Sequence, residues 1–245
     1  MKQPLRIGFL VPPGNPTVEA EMIALAAAIG LDRVSPHFTR MVAQGEAGAH
    51  RGFEERMKSQ IAHVSETTGL LAMVKPQVIV MAHAGMSALL GPKGEAELVA
   101  RMEREHGVRF VTAFHAVLAA LEHLGARRIA LGTPYDADAT ARTRAHLEAH
   151  GIEVVSHGRL DNVKNIYELS ADDARALARK VDVPAAQAVF LSGLGMPTVA
   201  RLAAMEEDLR KPVISGALAS MWHALRLAGA DSLLQITSCP VAPAE

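Results

Sequence analysis

The sequence is short of the residue types that mark several large classes of protein. Its one cysteine, Cys239, excludes an intrachain disulfide and a cysteine-based zinc site. The formal net charge of -1 gives no electrostatic reason to expect a nucleic-acid partner or an anionic membrane surface. No apolar run approaches the roughly 20 residues that cross a bilayer, and the first predicted strand begins too early to leave room for a signal peptide. These absences predict a soluble, cytoplasmic protein.

Several sequence motifs are also missing. Neither GxGxxG nor GxxxxGK[ST] occurs, so nucleotide binding is not expected. There is no GxSxG nucleophile elbow, which argues against a Ser-His-Asp hydrolase. The histidines His106, His123, His146 and His150 are expected on polar helical faces, without an HExxH or comparable ligand pattern. We therefore predict no metal ion.

The sequence does contain a repeat of two motifs. Residues 6–12 (RIGFLVP) return as residues 128–134 (RIALGTP), and residues 79–86 (IVMAHAGM) return as residues 189–196 (VFLSGLGM). Short apolar runs that end in small residues or proline are typical of buried parallel strands that lead into a loop and a helix. The repeat predicts two similar α/β halves with a cleft between the C-terminal ends of their strands.

The two copies differ at one position with chemical potential. His83 in the first copy corresponds to Gly193 in the second, or to Leu194 if the alignment slips by one residue. Functional residues are expected where the copies differ, so His83 is a candidate for the cleft.

Strands and helices alternate along the chain, which predicts parallel sheets joined by right-handed crossovers. Ser170 and Asp173 form a capping box that begins one of the helices. The Gly-rich, charged segment 45–56 is expected to be a surface loop rather than a mobile flap. The expected strands are residues 5–11, 33–41, 77–81, 110–112, 128–131, 152–156, 189–191 and 213–214. The expected helices are residues 18–28, 61–73, 116–124, 139–150, 170–179, 197–209 and 217–227.

The predicted fold class is α/β, with two Rossmann-like parallel-sheet halves related by pseudo-two-fold symmetry. Residues 1–115 form the first half, which the C-terminal segment 217–245 completes, and residues 116–216 form the second half. Helix 217–227 is expected to pack back on the first half.

Four loops are placed to carry chemistry. In open α/β sheets, ligands bind outside the strand C-terminal ends, where helix N-termini present free N–H groups. The small residues in these loops would let an anion approach the backbone closely. Residues 162–167 are expected to add a side chain from the second half. The four loops are residues 12–17, 82–87, 133–136 and 192–198.

Three segments, taken in order, resemble the Asp/Glu racemase superfamily, and more narrowly its maleate isomerase and arylmalonate decarboxylase branch. They are residues 11–17 (VPPGNPT), 132–135 (GTPY) and 190–195 (FLSGLG). With the strand order, the resemblance covers essentially the whole chain. It implies a cofactor-independent enzyme that acts on small carboxylates.

The resemblance also implies which residues form the site. Racemases of this superfamily place one cysteine in each half, its isomerases use one cysteine as a nucleophile, and its decarboxylases keep the second-half cysteine as proton donor to an enediolate. These two positions are His83 and Gly193 here, so we assign the proton transfer to His83. Tyr135 matches a tyrosine that hydrogen-bonds the substrate carboxylate, and Asn15 matches a substrate-binding asparagine. The other predicted contacts are Pro13, Ala84, Gly85, Ser87, Ser192, Gly193 and Leu194, with Ser87 as a possible substitute for the hydroxyls that Ala84 and Gly85 replace.

Each of the polar candidates also has a purely structural interpretation. His83 could be hydrogen-bonded to the neighbouring loop, and Tyr135 could be a packed aromatic cap. Asn15 could form a turn or an N-cap, and Ser87 and Ser192 could cap helices.

The leading hypothesis is a cofactor-independent lyase or decarboxylase-like enzyme that acts on a small carboxylate or dicarboxylate through an enediolate-type intermediate. The alternatives are a maleate-type cis-trans isomerase or racemase with altered chemistry, and a catalytically silent carboxylate-binding protein. Apart from the small carboxylate substrate, the sequence predicts no nucleic-acid or membrane partner, and a homo-oligomer would fit the resemblance. Cys239 lies beyond the last predicted helix and is not expected to be catalytic.

Overall fold

The computed structural model describes residues 3–43 and 52–239, which form two four-stranded sheets with helices around them. In the first sheet the order is β2-β1-β3-β4, and all neighbouring strands are parallel. Its strands are β1 (Leu5–Val11), β2 (Val34–Arg40), β3 (Val78–Met81) and β4 (Arg109–Thr112). Its helices are α1 (Thr17–Ile29), α2 (Phe53–Ala62), α3 (Val64–Ala72), α4 (Ala84–His106) and α5 (Ala113–Leu124).

The second sheet repeats this order as β6-β5-β7-β8, again with parallel neighbours. Its strands are β5 (Arg128–Thr133), β6 (Glu153–Arg159), β7 (Ala188–Leu191) and β8 (Val213–Ser215). Its helices are α6 (Ala137–Ala149), α7 (Ala171–Val181), α8 (Leu202–Leu209) and α9 (Gly216–Leu227). Short 3₁₀ turns span Ile166–Glu168, Val199–Arg201 and Asp231–Leu233. The predicted α/β fold with two matching parallel sheets is confirmed.

The strand registers show how the two halves correspond. Leu10 pairs with Met81 between β1 and β3, and Gly132 pairs with Leu191 between β5 and β7. Both pairs are the last of their ladders. Because His83 and residue 193 each follow the end of the strand by two positions, they occupy equivalent places in the two halves.

Helices α5 and α9 join the halves through one packed interface. Each follows the last strand of its sheet, and each begins at a hydroxyl that caps it: the Thr112 side chain accepts from the His115 amide, and the Ser215 side chain accepts from the Leu218 amide. The two helices pack against each other, and α9 also contacts β3, β4 and α1. Helix α9 therefore lies against the first sheet.

Segment 45–56 was expected to be a surface loop, and the part of it that can be compared is helical. Residues 45–51 lie outside the described residues, but α2 begins at residue 53 and buries Arg56. Glu54 and Glu55 in the first turn of α2 favour a helix N-terminus there. The single helix expected over 61–73 is also wrong, because His63 leaves helical geometry (φ -106°, ψ 6°) and separates α2 from α3.

Several other boundaries differ from the sequence predictions. Helix α4, which is not among the expected helices, runs from Ala84 to His106, with a break in helical geometry at Gly91. Helix α5 starts three residues earlier than expected because Thr112 caps it. The helix expected at 197–209 is a 3₁₀ turn followed by α8. His146, expected on a polar helical face, is 3 % exposed. Across residues 3–43 and 52–239, none of the helices has the length and apolar character needed to span a membrane.

Candidate active site

The cleft between the strand C-terminal ends holds a small cavity in two connected parts of about 20 Å³ each. Both parts are lined by Pro12, His83, Ile166 and Tyr167. One part extends between the two halves and adds Asn15, Ala82, Ala84, Tyr135, Leu194 and Gly195. The other extends toward α2 and adds Pro13, Gly14, Arg56, Met57 and Gln60. His83 therefore lies where the two parts meet.

His83 is held by the turn between β3 and α4. Its amide donates to the Met81 carbonyl at 2.8 Å, and its own carbonyl accepts from the Met86 amide at 3.2 Å. The side chain is 8 % exposed. Burial lowers the pKa of His83 to about 4, and the nearby positive charge of Arg56 acts in the same direction. The imidazole is therefore neutral at physiological pH, which is the form that can accept a proton.

Tyr135 faces the second-half position equivalent to His83. Gly193 has φ +104°, and a Cβ built there would lie 3.1 Å from the Tyr135 hydroxyl and 3.0 Å from Cγ of Pro134. The phenol therefore occupies the space next to residue 193 where a side chain would begin. Burial raises the pKa of Tyr135, and neighbouring Tyr167 adds to this effect, so the hydroxyl stays protonated and can donate a hydrogen bond.

Asn15 connects the two halves at the edge of the cavity. Its side-chain oxygen accepts from the amides of Thr17 and Val18 at 2.8 and 3.1 Å, as an N-capping residue does. Its Nδ2 donates to the Leu194 carbonyl at 3.3 Å, and the Thr17 hydroxyl donates to the Gly195 carbonyl at 2.9 Å. The structural interpretation of Asn15 thus holds, while the second hydrogen of Nδ2 remains able to reach a ligand.

Glu21 on α1 makes a second connection between the halves. Its carboxylate accepts from the amides of Thr198 and Val199, which begin the 3₁₀ turn of the second half. Burial raises the pKa of Glu21 even though these hydrogen bonds act to lower it. The N-terminal part of α1 and the loop after β7 are therefore fixed to each other.

Backbone amides surround the cavity on two sides. Ala84 and Gly85 are the first residues of α4, so their N–H groups have no acceptor within the helix. In the second half, the Ser192 amide donates to the Gly132 carbonyl, and the Met196 amide donates to the Gly193 carbonyl. The amides of residues 193–195 lie between these two bonds, at the C-terminal end of β7. Together the two groups of amides can receive a negative charge.

Comparison with known proteins identifies the group to which this architecture belongs. The family model for arylmalonate decarboxylase matches residues 7–238. The chain belongs to the arylmalonate decarboxylase family. The resemblance to this branch, inferred from three short segments, is therefore confirmed.

Among individual relatives, the maleate isomerase of Nocardia farcinica is 29 % identical over 232 residues, which cover 90 % of this chain and 89 % of that protein. The arylmalonate decarboxylase of Bordetella bronchiseptica is 27 % identical and covers 91 % and 90 %. A solved structure of the Nocardia farcinica maleate cis-trans isomerase, with a covalently bound succinylcysteine intermediate, has a TM-score of 0.83 and 25 % identity over 92 % of this chain and 93 % of that one. These relatives are enzymes, so membership of a decarboxylase and isomerase family is confirmed as predicted.

This member of the family differs from the isomerase with the succinylcysteine in one chemical respect. No cysteine is among the residues that line the two parts of the cavity. Cys239, the chain's one cysteine, has its thiol 3.6 Å from the Glu206 carbonyl in the C-terminal segment. Burial raises the pKa of that thiol. Neither part of the cavity therefore has a thiol among its lining side chains.

Six of the ten residues proposed for the site line the cavity, namely His83, Tyr135, Asn15, Pro13, Ala84 and Leu194. Gly85, Ser87, Ser192 and Gly193 do not, although Gly85 adjoins Ala84, Gly193 adjoins Leu194, and Ser87 lies about one turn of α4 beyond Ala84. Ser87 and Ser192 are fully buried, at 0 % and 1 % exposure. Among the described residues no cluster of His, Cys, Asp and Glu could hold a metal ion.

Sequence reasoning missed the α2 side of the cavity. Arg56 comes from the segment expected to be a surface loop, and Met57 and Gln60 lie between that segment and the helix expected from residue 61. Residues 162–167 were expected to supply a side chain without its being specified, and Ile166 and Tyr167 are the two that reach the cavity. In the sequence, the apolar Met57 stands close to the polar Arg56 and Gln60. This pattern is the signal that could have indicated a helix with one partly buried face.

Proposed function

We propose that the chain is a cofactor-independent enzyme that transfers a proton at the carbon next to a carboxylate, through an enediolate-type intermediate. The observation that carries this proposal is the composition of the cavity wall. Among the lining residues, His83 is the one side chain whose ordinary pKa lies near neutrality, since the others are apolar, amide, phenol or guanidinium groups. His83 is therefore the acid or base of the reaction.

The enediolate requires donors that favour charge where it develops. The amides at the start of α4 and in the 193–195 loop, the hydroxyl of Tyr135 and the remaining hydrogen of Asn15 Nδ2 supply them. Each such donor stabilises the developing negative charge, because it already points at the oxygen atom and does not have to reorient during the reaction. A carboxylate bound here becomes an enediolate when a proton or carbon dioxide leaves the adjacent carbon.

Decarboxylation is the leading form of this reaction. Loss of carbon dioxide breaks the bond between the carboxylate carbon and the α-carbon, and the electron pair enters the enediolate. The α-carbon then takes a proton from His83. In the empty cavity His83 is neutral, and a bound carboxylate beside it raises the pKa of the imidazole toward the protonated form that this step needs.

The neutral state of His83 favours racemisation at the α-carbon as a second candidate. A neutral imidazole removes the α-proton directly, and the same imidazolium returns it. A covalent thiol route like that of the isomerase intermediate is not available, since no cysteine lines the cavity. A silent carboxylate-binding protein would show saturable binding without exchange of any proton.

Substrate entry requires a change at the 3₁₀ turn 166–168. A volume of about 20 Å³ holds little more than one water molecule, far less than a small acid needs. The Tyr167 ring lies against Gly195, where a Cβ would be 2.7 Å from Cε1 of the ring. Movement of Ile166 and Tyr167 away from this contact enlarges the cavity and, on return, excludes water from the reaction.

The test is a turnover screen in deuterated buffer followed by NMR. Phenylmalonate reports decarboxylation, 2-phenylpropionate reports α-proton exchange, and maleate reports cis-trans isomerisation. Deuterium at the α-carbon or release of carbon dioxide is the expected result. Saturable binding of all three acids with no chemical change would contradict the proposal and support a binding protein.

A further inference from the structure

The α2 side of the cavity has no role in the proton transfer described above, yet its polar side chains are buried. Arg56 is 9 % exposed and Gln60 is 4 % exposed. They lie four residues apart on α2, so they share one face of the helix, and both line the same part of the cavity with His83. Lys58, between them in sequence, points away from this face and is 64 % exposed.

Gln60 shows that this part of the cavity is built for a polar group. Among the described residues, no donor reaches its buried Oε1. A buried amide oxygen without a partner costs about 1–3 kcal/mol, and natural proteins keep few of them. When the amide turns over, its N–H group takes the place of Oε1 and can donate to an oxygen atom of a ligand.

Arg56 supplies charge at the same place. Its positive charge acts on both His83 and Tyr167, which are two of the four residues that line both parts of the cavity. A guanidinium is permanently charged and matches a carboxylate in a two-pronged geometry. The amide of Gln60 can add an N–H to the same carboxylate when it turns over.

We propose that Arg56 and Gln60 form a subsite that binds a second carboxylate of the substrate, one that the reaction retains. This inference rests on the proposed function, because it assigns the first carboxylate to the backbone amides and Tyr135. The two residues are then specificity-determining: they select an acid that carries this distal carboxylate, in addition to any carboxylate that is lost as carbon dioxide, over an acid whose distal group is apolar.

The chemistry explains why the carboxylate at Arg56 is the retained one. A carboxylate that leaves as carbon dioxide loses its charge in the transition state, so a guanidinium beside it would stabilise the ground state more and slow the reaction. A carboxylate that stays charged throughout the reaction is stabilised equally in the bound substrate and in the transition state, so its contact with Arg56 strengthens binding. The subsite therefore serves to anchor the substrate so that its α-carbon faces His83.

The test compares two probes that differ only in the distal group, maleate and isocrotonate, in which a methyl replaces one carboxylate. Binding is measured by NMR titration of wild type, Arg56→Gln and Gln60→Leu. Lys58→Gln is the matched control, since it makes the same kind of change on the exposed face of the same helix. For Arg56→Gln we expect maleate affinity to fall by roughly 10- to 100-fold and isocrotonate affinity by less than about threefold.

Gln60→Leu is expected to weaken maleate binding by a smaller factor, and Lys58→Gln to leave both probes unchanged. Circular dichroism checks the fold, and Arg56→Lys, which keeps the charge, is expected to retain part of the preference for maleate. Equal losses for maleate and isocrotonate in Arg56→Gln, or no preference for maleate in wild type, would overturn the subsite. Because binding is measured without turnover, an inactive protein that still discriminates the probes would refute the proposed function and leave this inference standing.

Discussion

The Tyr135 hydroxyl lies 3.1 Å from the point where a Cβ of residue 193 would stand. The Tyr135 side chain therefore occupies the space that a side chain at Gly193 would need. In the first half the equivalent position carries His83, which lies between the two parts of the cavity. The two halves have the same topology, but they place different chemical groups at this position. One supplies a titratable side chain, and the other supplies a phenol donor and close access to the backbone.

This relationship makes Gly193 sensitive to any side chain. Gly193→Ala must place a Cβ near Tyr135 and Pro134 at φ +104°, a conformation that costs an L-residue about 1–3 kcal/mol. We expect the free energy of unfolding in urea to fall by about 2–4 kcal/mol and turnover to fall with it. Gly125→Ala is the control: its φ is also positive at +66°, but nothing lies within 4 Å. A loss in Gly193→Ala no larger than in Gly125→Ala would contradict the contact with Tyr135.

Tyr135→Phe tests the donor role of the hydroxyl. Removing one preorganised donor to a developing oxyanion lowers kcat by about 10²- to 10³-fold in known cases, and we expect a loss of this size. The fold should persist because the ring remains. The double variant Gly193→Ala with Tyr135→Phe should lose less stability than the sum of the two single changes, since the phenyl ring leaves room for the new methyl. Full activity in Tyr135→Phe would exclude the hydroxyl from the reaction.

The lowered pKa of His83 predicts a pH dependence of stability. The pKa is about 4 in the folded protein against 6.5 ordinarily, so between these values the unfolded chain binds a proton that the folded chain does not. The contribution of His83 to the free energy of unfolding is therefore fully present above pH 6.5, and it is lost as the pH drops toward 4. His83→Gln should flatten this decline by up to about 3 kcal/mol, as measured by urea unfolding at several pH values.

His223 provides a comparison for that experiment. Burial also lowers its pKa to about 4, with the charges of His115 and Arg226 acting in the same direction, but it lies on α9 away from the cavity. His223→Gln should flatten the same pH window while leaving turnover unchanged. A His83→Gln profile parallel to wild type would show that His83 titrates normally.

The buried pair of Glu95 and His146 holds α4 of one half against α6 of the other. Glu95 accepts from Thr112 and lies 3.0 Å from His146 Nε2. Burial acts to raise the pKa of Glu95, but the hydrogen bonds and the His146 charge outweigh it and keep this pKa below its ordinary value. Glu95→Ala leaves His146 buried without its partner, so we expect a loss of about 3–5 kcal/mol in urea unfolding. Glu97→Ala on the same helix, whose side chain is 69 % exposed, should change stability by less than about 0.5 kcal/mol, and a similarly small loss in Glu95→Ala would refute the pair's role.

The sequence was sufficient for the parts of the fold that local composition determines. Central strands such as Leu5–Val11 and Val78–Met81 are buried on both faces, so they read as short apolar runs, and their repetition showed the two halves. The place of His83 followed from the same repeat. The α2 side of the cavity could not be predicted in this way, because Arg56 and Gln60 are polar residues in a charged segment. Their burial depends on what α2 packs against in the folded chain. The burial of His146 likewise depends on Glu95, which is 51 residues away along the chain.

His83 is the side chain that we expect to move the proton. The most direct measurement is the rate of deuterium incorporation at the α-carbon of a small carboxylic acid in D₂O, for wild type, His83→Gln and His223→Gln. We expect the rate to fall by about 10²- to 10⁴-fold in His83→Gln and to stay at the wild-type level in His223→Gln. Exchange at the wild-type rate in His83→Gln, with the protein folded, would contradict this role of His83.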